Sequence, residues 1–111
     1  MAMEKCVFCK IINKELPAKL LYEDEDVIVF PDLRPVKPVH VLIVPKKHFE
    51  DLVSVDDAGI FSKLFSVVQK MVKREGLKDR GFRVIINGGG AQLVPHLHVH
   101  LMGPIEKTAE L

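Results

Sequence analysis

The sequence has no uninterrupted apolar run near the roughly 18 residues that a membrane-spanning helix requires, so no such span is predicted. Met1-Ala2-Met3-Glu4-Lys5-Cys6 lacks the charged and then apolar regions of a signal peptide, and a cytoplasmic address is the expectation. Excess charge is missing too. Sixteen basic and 15 acidic side chains leave a formal charge of +1, with no block of one sign. That balance argues against a polyanion-binding surface, so neither a nucleic-acid partner nor a membrane footprint is expected. Cysteine is scarce: Cys6 and Cys9 form one Cys-x-x-Cys pair, not a spread disulfide framework. In a reducing compartment that spacing points to metal or redox chemistry. No repeat, low-complexity tract or linker divides the 111 residues, which read as one domain, 1–111, able to bury a core.

What is present is organised by short strands and one long helix. Cys9 to Lys14 reads as a short helix limited by Pro17. Lys19–Glu23 and Val27–Phe30 read as strands joined by the acidic turn Asp24-Glu25-Asp26. Val39–Val44 is a β-branched run bounded by Pro38 and Pro45. A long helix is predicted after Ser54, with Ser54 and Asp57 as a variant capping box. Phe61, Leu64, Phe65, Val68 and Val72 follow helical spacing, and Gly76 is a left-handed stop. Ile60, Val67 and Met71 widen the stripe, which leaves open a helix buried in its own chain or one shared with a partner subunit. Phe82–Asn87 is a further strand, followed by Gly88-Gly89-Gly90. This order favours an α+β antiparallel sheet over repeated βαβ units.

The segment Pro95-His96-Leu97-His98-Val99-His100-Leu101 alternates imidazole and apolar side chains. On a strand, His96, His98 and His100 share one face, while Leu97, Val99 and Leu101 enter the core. Adjacent imidazoles disfavour one another's positive charge, so at neutral pH at least one keeps an unprotonated nitrogen as nucleophile or ligand. A metal site competes with this reading. The preceding glycines tip the balance towards phosphate, because backbone without Cβ atoms can turn sharply and present N–H groups to an anion.

These residues resemble the histidine-triad, or HIT, family. His96-Leu97-His98-Val99-His100-Leu101-Met102 is similar to its alternating motif. Cys6-Val7-Phe8-Cys9-Lys10-Ile11-Ile12, Leu16-Pro17-Ala18-Lys19 and Val41-Leu42-Ile43-Val44-Pro45-Lys46-Lys47-His48 resemble its Hint branch. The resemblance covers nearly the whole chain, with the motifs in the family's order. It implies a HIT fold: an antiparallel sheet of about five strands, one long and one short helix, and a sheet extended across a homodimer.

The resemblance also implies a nucleotide hydrolase. His98 would attack the α-phosphorus, forming a nucleotidyl-histidine that water hydrolyses. His100 would contact phosphate or leaving group and manage a proton, and His96 completes the triad. Asn87, Gly90, Ala91 and Gln92 would lie about the phosphate; Leu16, Phe30 and Leu33 about a purine base; Asp32 on the ribose hydroxyls. His40 matches a histidine commonly near the triad. Leu93 stands where the family often has Ser, which removes one polar contact and leaves more to the backbone N–H groups near Gly90 and Ala91.

Zinc-bearing relatives imply a structural site on Cys6, Cys9, His48 and His96, a tetrahedral set of two thiolates and two imidazoles. A redox pair and two unligated cysteines are the rival readings of the same motif. The implied substrates are phosphoramidates or adenylates of purine nucleotides (AMP or GMP type), cleaved at P–N bonds. The Hint-like N-terminus favours these over the dinucleoside polyphosphates of the Fhit type. Leu93 and the absence of the tryptophan-containing Hint-like tail weaken that preference. A non-catalytic nucleotide-binding or interaction module is the third reading.

Overall fold

The computed structural model describes residues 5–108 and residue 110; the signal-peptide reading of Met1 to Glu4 lies outside them. Two helices, α1 (Val7–Ile12) and α2 (Gly59–Arg74), accompany five strands. The strands are β1 (Tyr22–Glu23), β2 (Val27–Pro31), β3 (Val39–Pro45), β4 (Arg83–Ile86) and β5 (Val99–Gly103). They form one sheet in the order β1-β2-β3-β5-β4, with every neighbouring pair antiparallel. The α+β expectation holds. No helix among the described residues is long and apolar enough to cross a membrane.

Strand alternation divides the apolar residues between two faces. Val27 and Val29 of β2, Val41 and Ile43 of β3, and Val99 and Leu101 of β5 pack with Ile60, Leu64, Val67, Val68, Met71 and Val72 of α2. Each such buried side chain contributes about 1.5–3 kcal/mol relative to exposure. On the other face Ile28, Phe30, Leu42 and Val44 meet Phe8, Cys9 and Ile11 of α1, together with Cys6. All three residues that widen the helical stripe are therefore buried within the chain, and of the predicted stripe only Phe65 is exposed.

Several boundaries move for local reasons. Helix α1 starts at Val7 because the Cys6 sulfur accepts the Cys9 N–H, capping the first turn. Lys14 at φ 62° then turns the chain away. The first strand shrinks to Tyr22–Glu23, since only these residues pair, opposite Val29 and Ile28. The acidic turn is stitched by Asp24, whose Oδ1 accepts the N–H groups of Asp26 and Val27, each at 2.8 Å.

Ser54 does not open the long helix. It ends a short 3-10 turn, Leu52–Ser54, nucleated by Asp51. Helix α2 begins at Gly59, where Asp57 Oδ1 accepts the Gly59 N–H at 3.0 Å and Asp57 C=O accepts that of Ile60. The helix ends as predicted: Gly76 lies at φ 71°, and the buried Leu77 returns its N–H to Val72 C=O at 2.9 Å.

The histidine segment is strand only from Val99 onward. Its partner β3 ends at Pro45, and the register pairs Val99 with Ile43. Beyond that point Leu97 N–H turns to Phe49 C=O at 2.7 Å, and His98 Nδ1 takes the His96 carbonyl at 2.7 Å. His96 and His98 thus lie on an extension of the strand that no ladder holds, fixed by side-chain and loop contacts.

Candidate active site and metal centre

His96 sits at the centre of the first cluster and is fully buried. Its Nε2 lies 2.8 Å from Pro45 C=O, which requires the proton on Nε2 and leaves the Nδ1 lone pair free. Nδ1 lies 3.4 Å from Cys6 Sγ, 3.5 Å from Cys9 Sγ and 3.1 Å from His48 Nδ1. Cys9 Sγ is 3.2 Å from His48 Nδ1. Zinc bound tetrahedrally to sulfur and imidazole nitrogen spaces its ligands about 3.3–3.8 Å apart. These four pairs already stand close to that spacing and all four donors lie within 4.8 Å of one another, so Cys6, Cys9, His48 and His96 fit a closed metal site. Burial, and then the neighbouring Cys6, push the Cys9 thiol up to about 11, and burial lowers His96 to about 4. A cation is what would ionise such a thiol, and the neutral imidazole is already in its ligating form.

The second cluster opens on a cavity of about 410 Å³, whose wall includes Phe8, Ile11, Phe30, Asp32, Leu33, Asn87, Ala91, Gln92, His98 and His100. His98 is buried, its Nδ1–H donated to the His96 carbonyl. That bond fixes the tautomer and leaves Nε2 as a bare nitrogen. Burial holds His98 below the ordinary imidazole value, against the opposing effect of this hydrogen bond. His100 is lowered to about 4, first by burial and then by His98 and His40.

His40, on β3, orders the proton of His100. Val36 N–H donates to His40 Nδ1 at 3.1 Å, so the His40 proton resides on Nε2. His40 Nε2 lies 2.9 Å from His100 Nδ1 and 3.3 Å from Asp32 Oδ2. Donation to His100 Nδ1 leaves the His100 proton on Nε2. Asp32, His40 and His100 could also be grouped as metal donors, but this hydrogen-bond chain accounts for all three. Asp32 Oδ1 accepts the Arg34 N–H at 2.8 Å, and a carboxylate with roughly four lone-pair sites retains capacity for further hydroxyl donors.

The structure brings Phe30, Asp32, Leu33, Asn87, Ala91, Gln92, His98 and His100 to one cavity. Three sequence-based assignments lie elsewhere. Leu16 is not in the wall: after the Lys14 turn its N–H folds back to Lys10 C=O, its side chain is 40% exposed, and Pro17, Ala18 and Lys19 take its place. Gly90 is outside the wall at φ 91°, while Ala91 enters it. His96 is turned to the metal cluster instead. Sequence reading missed Phe8, whose ring meets Phe30 edge-on at 5.3 Å and His98 at 5.0 Å. The signal was there: Phe8 and Ile11 are three apart, one face of a helix. A larger open groove of about 560 Å³ at Lys37, Arg80, Arg83 and Pro104 contains none of the histidines or cysteines.

The HIT domain model matches residues 13–107. The chain belongs to the HIT family. Protein HitA of Neisseria gonorrhoeae is 42% identical over 105 residues, covering 91% of this chain and 97% of that protein. A 14 kDa zinc-binding protein of Zea mays is 44% identical over 103 residues, covering 87% and 80%. Among solved structures, a HIT family hydrolase from Clostridium thermocellum superposes with a TM-score of 0.92 at 40% identity, covering 97% of each chain. The HIT family hydrolase from Legionella pneumophila gives 0.87 at 38%, covering 95% and 97%. The five-stranded sheet with its two helices is thus the HIT fold, and the histidine cavity lies in the framework of HIT family hydrolases.

Proposed function

We propose that this HIT protein is a nucleotide hydrolase that cleaves P–N bonds of purine nucleoside phosphoramidates or adenylates through a nucleotidyl-His98 intermediate. One observation carries the reading: His98 Nδ1–H is held by its own chain at 2.7 Å, which reserves Nε2 for attack. His98 Nε2 forms a bond to the α-phosphorus. The bond to the leaving nitrogen breaks with its electron pair going to that nitrogen, which takes a proton from a water molecule while the neutral His100 steadies it with a hydrogen bond from Nε2–H. The imidazolium so formed keeps its Nδ1–H on the His96 carbonyl, whose dipole opposes the new charge. The hydroxide so formed then attacks phosphorus as the bond to His98 Nε2 breaks, its electron pair returning to that nitrogen. Dividing one displacement into two easier steps is the gain of covalent catalysis.

Phe8, Ile11 and Phe30 offer an apolar slot for a base, and Asp32 offers acceptor capacity for the ribose. Cys6, Cys9, His48 and His96 would hold zinc in a structural role, fastening α1 against the triad. A homodimer and a cytoplasmic address belong to the same proposal. The support for the dimer is the unpaired outer edge of β4, with all four residues half-buried, and the exposed Phe65; an open edge is a ready template for pairing.

The test is single-turnover and steady-state hydrolysis of an AMP phosphoramidate and a diadenosine polyphosphate by wild type and His98→Ala. Wild type should prefer the phosphoramidate, and His98→Ala should lose at least about 10³-fold in kcat. Equal rates for the two proteins would remove His98 as nucleophile. Preference for the polyphosphate would move the chain to the Fhit-type reaction.

A further inference from the structure

The segment Pro45 to Asp51 runs beside the glycine loop and triad and, apart from His48 at the metal cluster, touches them at four points. Pro45 C=O lies against His96 Nε2 at 2.8 Å, and Phe49 C=O accepts Leu97 N–H at 2.7 Å. Glu50 C=O accepts the Gln92 side-chain amide at 2.9 Å, and Asp51 Oδ2 accepts Gly89 N–H at 2.9 Å. Three of these acceptors are backbone carbonyls, which any residue supplies. Among these four, only at Asp51 does the identity of the segment's residue decide the contact.

We infer that Asp51 is a positioning residue: it anchors Gly89 and thereby sets where Asn87 and Ala91 meet the substrate phosphate. This rests on the reading of the cavity as a nucleotide phosphate site. Gly88-Gly89-Gly90 has little stiffness of its own, with Gly89 at φ 63° and Gly90 at φ 91°, a geometry only glycine adopts readily. An external anchor is what such a loop needs. Asp51 can serve because its own side chain is locked: Oδ1 accepts Val53 N–H at 3.0 Å and lies 3.4 Å from Ser54 Oγ. The bond to Gly89 is the main reason its carboxyl lies below the usual carboxylate range. Asn87 and Ala91, which flank the glycines, both line the cavity. A carboxylate near an anionic substrate gains nothing from its charge, so the useful property is the oriented acceptor. An amide oxygen supplies the same acceptor.

The experiment compares wild type, Asp51→Ala and Asp51→Asn in three readouts: kcat and KM for an AMP phosphoramidate, amide hydrogen exchange at Gly89, and bound zinc. In Asp51→Ala, Gly89 exchange should rise about fivefold, the loss of one hydrogen bond. Its kcat should fall about tenfold or more, as misplaced groups cost turnover, with KM changed less than about threefold. Asp51→Asn should stay within about threefold of wild type in kcat and Gly89 exchange, and both variants should retain zinc. Unchanged Gly89 exchange in Asp51→Ala, or no rescue by Asp51→Asn, would overturn the assignment. So would loss of zinc, which would make Asp51 a support of the His48 segment instead. If wild type fails to hydrolyse the phosphoramidate above His98→Ala, the functional reading fails; Gly89 exchange still decides whether Asp51 holds the loop.

Discussion

The two faces of the sheet carry unequal burdens. The face under α2 is a continuous apolar core built by a 16-residue helix. The opposite face is covered by a six-residue helix, and the two cysteines and the five histidines cluster about that side. A helix that short is not stable alone. Its packing against Ile28, Phe30 and Leu42 has to be supplemented, and the Cys6-Cys9-His48-His96 cluster lies where a metal would do so. One face is scaffold; the other is assembled from contacts between residues far apart in sequence.

The largest effect expected from breaking that contrast is removal of the metal. Ligand binding to the folded state alone contributes about 4 kcal/mol at a thousandfold excess over Kd. Chelation of wild type, or Cys9→Ser, should therefore lower the thermal midpoint by at least about 10 °C. Metal content should fall to near zero, and the proposed hydrolysis of an AMP phosphoramidate should fall with it as Phe8 is released. Calorimetry and metal analysis on the same samples would show this. A midpoint unmoved by chelation would mean that apolar packing alone holds α1 in place.

The contrast also explains what could be read in advance. The short apolar, β-branched runs of β2 and β3, the Gly76 stop and the alternation from His96 to His100 are local, and each was legible. Cys6 and Cys9 announced a metal or redox site, but nothing local pairs them with His48, 39 residues beyond Cys9; the family resemblance supplied that partner. Asp51 on Gly89 and Pro45 C=O against His96 were illegible because they join separate segments through one atom each. The width of the α2 stripe left its partner open for a different reason. Periodicity reports burial without saying against what, and β2, β3 and β5 absorb the stripe apart from the exposed Phe65.

A smaller effect sharpens the chemical face through pH. His100 is lowered to about 4 in the fold, against about 6.5 unfolded. Between these values the unfolded chain binds more protons, so stability rises with pH across this window. The His100 contribution is complete above about 6.5 and is lost as pH falls towards 4. On the proposed mechanism His100 keeps a bare Nδ1 facing His40, so the acid limb of kcat/KM should fall near pH 4 to 5, below the usual imidazole range. A limb centred at 6.5 that persists in His40→Ala would show that burial does not set the proton on His100.

The smallest effect belongs to the scaffold face, at the start of α2. Ser54 satisfies the pattern of a cap but sits in the preceding 3-10 turn, its Oγ only 3.4 Å from Asp51 Oδ1. Asp57 instead accepts the Gly59 N–H at 3.0 Å and supplies the carbonyl for Ile60. The carboxylate also stands at the positive end of the helix dipole. Asp57→Ala should therefore cost about 1 kcal/mol, and Ser54→Ala less than about 0.5 kcal/mol. Urea denaturation of both variants measures the difference, with metal content and AMP-phosphoramidase rate held as controls. The rate should be unaffected by Asp57→Ala, because α2 touches the sheet only on the face away from the histidines. Equal costs for the two substitutions would return the helix start to Ser54, and a fall in rate would show that the faces are coupled after all.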